Sequence, residues 1–204
     1  MIHNILLGMV GQLQSTPWCS PIVGTTWDSA VGTTNNSFVP AYGLYDYSQS
    51  MMIYRQSDIG SGEKQINSIS FEVGGYSSSG YTLNNQTIKL AHITDSQFGT
   101  SVQCDLSGIG GLSDLTTVKN LNWTVVNGWV TFTFDDNFCY NGVDNLMIVW
   151  ENRDGTWVSG YGWSETHTVS GSPFLIWYKY QDTTYPTGYG TRSSVGRPNI
   201  RIGY

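Results

Sequence analysis

Side chains that could carry out chemistry are few and scattered in this sequence. The three histidines, His3, His92 and His167, lie far apart, without a metal-binding or general-base spacing. The run from Ser164 to His167 combines a hydroxyl, a carboxylate and an imidazole, but neighbours on a strand point to opposite faces and no nucleophile elbow surrounds the serine. We interpret this run as an exposed polar loop, and we predict no catalytic residue and no metal ligand.

Carboxylates allow two further interpretations. Residues 135–137 and 144–145 offer oxygen ligands for calcium, although turn chemistry explains such residues more often. A glycosidase would need two carboxylates that lie apart in sequence, such as Glu165 with Asp182 or Asp154, and only residue type recommends that pairing. We therefore predict a protein that is not an enzyme and has no cofactor.

The three cysteines, Cys19, Cys104 and Cys139, form an odd set without a C-x-x-C motif or a histidine at zinc-site spacing. Neither a disulfide framework nor a zinc site is specified by this pattern. We expect buried free thiols.

Aromatic residues are abundant, with 8 Trp and 13 Tyr, and they crowd into the last quarter of the chain. Flat rings suit the faces of sugars and the surfaces of protein partners. Packing of the same rings in the core is the competing interpretation. The candidate aromatic binding surface consists of Trp157, Tyr161, Trp163, Tyr178, Tyr185 and Tyr189.

The charge balance narrows the classes of partner. Nine Lys and Arg residues against fifteen Asp and Glu give a net charge of −6 and a pI near 4.8. No positive field attracts phosphate backbones or anionic lipids, so we predict neither a nucleic-acid partner nor a membrane partner. Charged residues make up only 12% of the chain, which favours a neutral surface rich in hydroxyl groups.

Short apolar or alternating runs between turn residues predict about ten strands. These runs are 44–54, 66–73, 87–93, 101–106, 117–126, 129–134, 145–151, 156–163, 174–180 and 199–202. Asn127-Gly128 is typical of a type I′ turn and predicts that the runs on either side pair as a hairpin. Ser113 could cap one helical turn and no more.

These elements predict an all-β protein, a two-sheet antiparallel sandwich of jelly-roll type with an extended N-terminal arm. We expect one domain over residues 22–204, preceded by an arm or edge strand over residues 1–21. The apolar stretch at the start is too short to span a bilayer and lacks a preceding Lys or Arg. Its side chains, Ile2, Ile5, Leu6, Leu7 and Val10, either cover the chain's own core or dock on a neighbouring subunit, and both possibilities remain open.

Several motifs, taken in order along the chain, add a family resemblance. They lie at 24–26, 36–40, 45–54, 59–60, 66–71, 128–132, 138–142, 144–152 and 197–202. Together they resemble a β-sandwich module of Bacteroidota surface proteins and of virion proteins of their phages, and the match spans residues 22–204. The resemblance implies a structural or accessory unit, and it implies no catalytic residue.

From this resemblance we expect a structural protein of a bacteriophage virion: a capsid decoration, head-fibre or tail-associated protein. It would contact other virion proteins and copies of itself, as a homo-oligomer such as a trimer. The alternative is a carbohydrate-binding or adhesive module, extracellular or on the surface of a Bacteroidota bacterium, whose aromatic rings contact a glycan.

Overall fold

A computed structural model describes residues 19, 26–28, 32–74, 80–158, 162–167, 171 and 173–204, without the side chains of Thr26 and of 162–167. Thirteen strands and one short helix form within these residues. The strands are β1 Thr26–Asp28, β2 Thr34–Ala41, β3 Tyr47–Tyr54, β4 Lys64–Val73, β5 Thr82–Ile93, β6 Ser113–Thr124, β7 Gly128–Tyr140, β8 Asn145–Asn152, β9 Gly162–His167, β10 Ile176–Gln181, β11 Thr191–Ser193, β12 Arg197–Pro198 and β13 Ile200–Gly203. Helix α1 is Gln56–Ile59.

The strands form two antiparallel sheets that pack as a sandwich. The six-stranded sheet has the order β11-β10-β3-β8-β5-β6. In the seven-stranded sheet, β2 pairs with β9, β9 meets β4, and β7 pairs with the other side of β4, while β1, β12 and β13 extend the sheet. Eight of the strands are arranged as in a jelly roll, with the order β2-β9-β4-β7 in one sheet and β3-β8-β5-β6 in the other. This arrangement confirms the predicted fold class.

The core between the sheets follows from the period-two alternation of the strands. On β8, Leu146, Ile148 and Trp150 face the seven-stranded sheet and pack in the main apolar cluster. Trp150 meets Phe71 of β4 and Phe132 of β7 at ring-centroid distances of 6.2 and 5.1 Å. These edge-to-face contacts join the two sheets through aromatic rings.

A second apolar layer covers part of the other face of the six-stranded sheet, which we call its outer face. Met51, Met147 and Val149 point to this face and form a separate cluster with Phe98 and Val102 from the loop at 94–112. The loop is attached by hydrogen bonds from the Phe98 N–H to the Phe174 carbonyl, at 2.8 Å, and from the indole N–H of Trp177 to the Val102 carbonyl, at 3.3 Å. β3 and β8 are therefore buried on both faces where the loop covers them.

The predicted hairpin at Asn127-Gly128 is wrong. A type I′ turn needs positive φ at both central residues, and only Gly128 has one, at 96°. Val125 instead continues the pairing of the six-stranded sheet, because its N–H and carbonyl both bond to residues just before β5. The chain then crosses over, so β6 and β7 lie in opposite sheets.

Other local predictions were also wrong. Residues 101–106 form turns with a single bridge, from Gln103 to Tyr189, because their apolar side chains belong to the covering loop. Ser113 begins β6 and caps no helix. Of the strand expected at 156–163, residues 156–158 form no strand, 159–161 lie outside the described residues, and 162–163 belong to β9. The run from Ser164 to His167 is also part of β9 and not a loop.

The cysteine prediction is wrong for two of the three thiols. Cys19 and Cys139 are joined by a disulfide, with their Cα atoms 5.6 Å apart, and only Cys104 is free. The bond links positions 120 residues apart, which sequence spacing could not pair. It ties the end of the predicted arm to β7, while the arm residues Ile2, Ile5, Leu6, Leu7 and Val10 lie outside the described residues.

We predict that the double change Cys19→Ser with Cys139→Ser lowers the free energy of unfolding by about 2–4 kcal/mol, because the cross-link closes a long loop and restricts the unfolded chain. Urea denaturation followed by tryptophan fluorescence measures the change. Cys104→Ser is the matched control and should leave the transition nearly unchanged. Equal stability of the parent chain with and without dithiothreitol would contradict the prediction.

Candidate functional site

A row of polar side chains crosses the outer face of the six-stranded sheet where the covering loop ends. Asn120 of β6, Thr87 of β5, Glu151 of β8, Gln49 of β3 and Lys179 of β10 are successive cross-strand partners. We call these five residues the polar row. Directly opposite residues on one face of a sheet interact with each other. The row therefore forms one continuous polar band across five strands.

The neighbouring row along the same strands marks the border of the covered region. Lys89, Val149, Met51 and Trp177 are its cross-strand partners. The last three belong to the buried cluster under the loop. The outer face is therefore covered by the loop at this row and is polar at the next row, which is the polar row.

Glu151 is the centre of the charged part of this face. Its side chain is only 10% exposed, and its two oxygens accept hydrogen bonds from different cations. Lys89 Nζ lies 2.6 Å from Oε1, and Arg153 Nε lies 2.9 Å from Oε2. Charge-assisted bonds of this kind satisfy a carboxylate that burial would otherwise penalise. Both oxygens are engaged, so the carboxylate holds two cations in place.

Arg153 and Tyr185 form a stacked pair at the surface. The guanidinium carbon lies 3.6 Å from the centroid of the Tyr185 ring, a favourable cation–π distance. The Tyr185 hydroxyl donates to Gln49 Oε1 at 3.2 Å. Burial raises the pKa of Tyr185 far above its usual value, and Glu151 raises it further while Arg153 lowers it. The phenol therefore stays protonated and remains a hydrogen-bond donor.

Arg153 lines two open clefts, each of about 440 Å³. Such volumes fall within the roughly 300–1,000 Å³ of small-molecule sites. The first cleft is lined by Asn85, Gln86, Thr87, Asn120, Leu121, Asn122 and Arg153. The second is lined by Lys89, Cys104, Asp105, Leu106, Leu115, Glu151, Arg153, Tyr185, Pro186, Thr187 and Gly188.

A bulge in β5 shapes the first cleft. Leu83 pairs with Trp123 and Gln86 pairs with Leu121, so Asn84 and Asn85 together oppose one residue of β6. Leu83 and Gln86 are both fully buried, although residues three apart on a regular strand point to opposite faces. The extra residue of the bulge places both on the same face. Asn85 takes a left-handed φ of 51°, a conformation that asparagine tolerates. Both bulge residues, Asn84 and Asn85, are exposed to solvent.

Cys104 borders the second cleft. Its carbonyl accepts a hydrogen bond from Gln49 Nε2 at 3.0 Å, and its N–H donates to the Gly188 carbonyl at 3.0 Å. Burial raises the pKa of the Cys104 thiol to about 11, although Lys179 opposes the shift. The thiol is protonated at neutral pH and is a weak nucleophile.

The described members of the predicted aromatic surface lie in different places. Tyr185 belongs to the candidate site, whereas Tyr178 lies on the inner face, with its ring stacked on Phe38 at 4.3 Å. Trp157 and Tyr189 are 58% and 62% exposed. The structure therefore does not bring Tyr178 and Tyr185 onto one surface. Tyr161 and the side chain of Trp163 lie outside the described residues.

The inner-face ring of Tyr178 is part of an aromatic cluster that the sequence did not indicate. Its centroid lies 6.2 Å from that of Tyr180, and both rings run nearly parallel to Phe38 of β2. Tyr45 and Tyr42 pack against Tyr180 at 4.3 and 4.9 Å. These partly buried rings contact one another, so their main role is to join the two sheets at this end.

His92 is a structural histidine. It is buried, and its Nδ1 lies 3.1 Å from Asp114 Oδ2, while its Nε2 accepts the Asn141 N–H at 3.0 Å. The bond from the backbone requires a lone pair on Nε2, so the ring proton sits on Nδ1. No ring nitrogen remains for a substrate or a metal ion. A third cleft, of about 640 Å³, lies beside this pair and the disulfide.

Most of the carboxylates considered for calcium binding and for glycoside hydrolysis lie in strands or hydrogen-bond to the backbone. Residues 135–137 lie inside β7 at a bulge opposite β4, not in a turn. Asp154 accepts the Asn84 N–H at 2.6 Å, and Asp182 accepts the Asp46 N–H at 3.3 Å, while Glu165 lies on β9 in the other sheet. Within the described ranges, no group of three His, Cys, Asp or Glu residues is placed to hold a metal ion. The same ranges contain no helix long and apolar enough to cross a bilayer.

No family model, curated protein sequence or solved structure matches this chain. The candidate site therefore depends on its own geometry. Sequence patterns missed the polar row because its members come from five strands and meet only through the sheet register. The sequence held one sign of the site. A run of apolar residues ends at Glu151, whose position would otherwise continue an apolar face of the strand.

We predict that Glu151→Gln lowers the free energy of unfolding by about 1–2 kcal/mol, because the partly exposed Lys89 and Arg153 then face each other without a counter-charge. Urea denaturation at neutral pH measures the loss. Lys89→Met should cost less, since Arg153 still pairs with the carboxylate. Glu63→Gln, an exposed change elsewhere, is the control, and a Glu151→Gln transition that coincides with that of the control would refute the assignment.

We predict that Cys104 reacts slowly with iodoacetamide at pH 8 and faster as the pH approaches 11, because a raised pKa keeps the thiolate scarce below that value. Mass spectrometry without reductant follows the adduct. In a variant that combines Cys104→Ser with Ser96→Cys, the new thiol lies at an exposed position and should react readily under the same conditions. Equal rates for the two thiols at pH 8 would show that Cys104 is not protected.

Proposed function

We propose that this chain is a structural protein of a bacteriophage virion, a capsid decoration, head-fibre or tail-associated β-sandwich. It acts through contacts with other virion proteins and with copies of itself, and it catalyses no reaction. The family resemblance over residues 22–204 motivates the proposal, and the jelly-roll sandwich is compatible with it. Repetition of one weak contact by symmetry gives such assemblies their durability.

The disulfide supports a location outside the cytosol, which the proposal shares with its alternative. Disulfides persist in oxidising surroundings such as the surfaces of virions and cells, and they are rare in the cytosol. Cys19 lies near the end of the proposed arm, and its bond to Cys139 fixes that point to β7. A pull on the arm from a neighbouring subunit would therefore pass to the seven-stranded sheet through a covalent link.

The alternative is an adhesive module that is extracellular or on the surface of a Bacteroidota bacterium. The disulfide suits that location equally well. Mass spectrometry distinguishes the two locations: purified phage particles should contain the chain at a fixed ratio to the major capsid protein. Recovery from the surface fraction of uninfected cells, together with absence from particles, would favour the alternative.

We predict that deletion of residues 2–14 abolishes incorporation into particles while the sandwich still folds, because the arm supplies the contact with the neighbouring subunit. Gel analysis of purified particles and circular dichroism of the isolated chain measure the two effects. Val195→Ser, a change at an exposed side chain of the sandwich, is the control and should be incorporated normally. Normal assembly of the deletion variant would remove the arm from the proposal.

A further inference from the structure

We propose that the outer face of the six-stranded sheet binds an uncharged saccharide chain in the two clefts that Arg153 lines. This site is separate from the proposed arm contact, and it does not depend on a role in a virion. It also differs from the aromatic surface indicated by the sequence, since only Tyr185 is common to both. The argument rests on the donors, the charges and the shape of the clefts.

Two asparagines of the first cleft, Asn120 and Asn122, have side-chain oxygens that already accept hydrogen bonds within the protein. Thr87 Oγ1 donates to Asn120 Oδ1 at 2.9 Å, and the Asn85 N–H donates to Asn122 Oδ1 at 3.0 Å. These bonds fix the orientation of both exposed amides. In the part of the chain that the structure describes, neither Nδ2 group donates a hydrogen bond. Two oriented N–H₂ groups thus face the cleft, where the hydroxyl groups of a sugar can accept from them.

The second cleft adds a guanidinium in a fixed position. The Arg153 side chain is held by Glu151 on one edge and by the Tyr185 ring on one face. The bond to Glu151 uses the Nε donor, and Tyr185 also receives a side-chain hydrogen bond from Arg153, so donors remain among the five that a guanidinium carries. A group already ordered in the free protein loses little entropy when it binds. Arg153 can therefore donate to ligands in both clefts from one position.

The charges favour a neutral ligand. Lys89 and Arg153 are both paired with Glu151, and Lys179 donates to the Thr187 carbonyl at the second cleft. Asp105 at the rim of that cleft and Asp154 beside Asn84 bring the sum of these six charges to zero. A phosphate or carboxylate ligand would meet no excess of cations here. Hydroxyl groups, which both donate and accept, match this mixture of amides, hydroxyls and paired charges better than an anion does.

The shape favours a chain of more than one sugar unit. The two clefts are open to solvent and meet at one side chain, so a ligand can extend from one to the other along the outer face. The covering loop closes the sheet on one side of them. An extended, hydroxyl-rich polymer such as a bacterial surface polysaccharide has the matching form.

The test uses the full-length chain, fluorescently labelled, on a microarray of neutral and acidic bacterial glycans. We expect binding to neutral glycans, and titration calorimetry with the best array ligand then gives its affinity. Asn120→Asp and Asn122→Asp each keep an oxygen for the internal hydrogen bond but replace the donor that faces the cleft. Each should weaken binding about tenfold, the value of one well-formed hydrogen bond.

Asn67→Asp is the matched control, because Asn67 is exposed on the seven-stranded sheet and its Oδ1 also accepts a hydroxyl hydrogen bond, from Ser68 at 3.0 Å. It adds the same charge away from the clefts and should leave affinity unchanged. Thermal unfolding of all three variants checks that the fold is intact. A blank array, binding confined to acidic glycans, or equal affinities of the cleft variants and the parent would each overturn the inference.

Discussion

Burial of the six-stranded sheet on both faces is the constraint that organises this molecule. Its inner face must match the seven-stranded sheet, and part of its outer face must match the loop at 94–112. β8 therefore carries large apolar residues at consecutive positions, such as Ile148, Val149 and Trp150, which a strand with one solvated face would not. Where the loop ends, the same outward positions become polar, and the candidate site begins there.

The jelly-roll topology explains why the site is scattered in sequence. Consecutive strands mostly alternate between the sheets, so neighbours within one sheet come from distant parts of the chain. Glu151 touches Lys89, and Gln49 touches Tyr185, although more than sixty residues separate the members of each pair. The clefts form only after the register of five strands is set. Their geometry is therefore a property of the fold and not of any local motif.

The parts that could be predicted from sequence are those governed by local alternation. Residues 69–73 and 130–134 alternate between apolar and polar side chains, and both lie in strands. The strand pairing around Asn127-Gly128 could not be predicted from that dipeptide. Val125 forms its backbone hydrogen bonds with Gly80 and Tyr81, just before β5, and not with β7. The bond between Cys19 and Cys139 depends on a contact across 120 residues. The aromatic surface was chosen by residue type, which cannot distinguish Tyr178 on the inner face from Tyr185 on the outer face.

The few basic side chains of this protein all have partners within the chain. All nine Lys and Arg side chains hydrogen-bond or form ion pairs within the chain. Lys64 binds three carbonyl oxygens around Ser61, and Arg197 is buried against Asp58 and the Ile53 carbonyl. Five of the nine form ion pairs with carboxylates, which weakens the field that they present to a phosphate backbone even before the excess of acidic residues is counted. The same commitment leaves amides and hydroxyl groups as the principal polar groups of the outer face, so recognition there depends on hydrogen-bond geometry rather than on net charge.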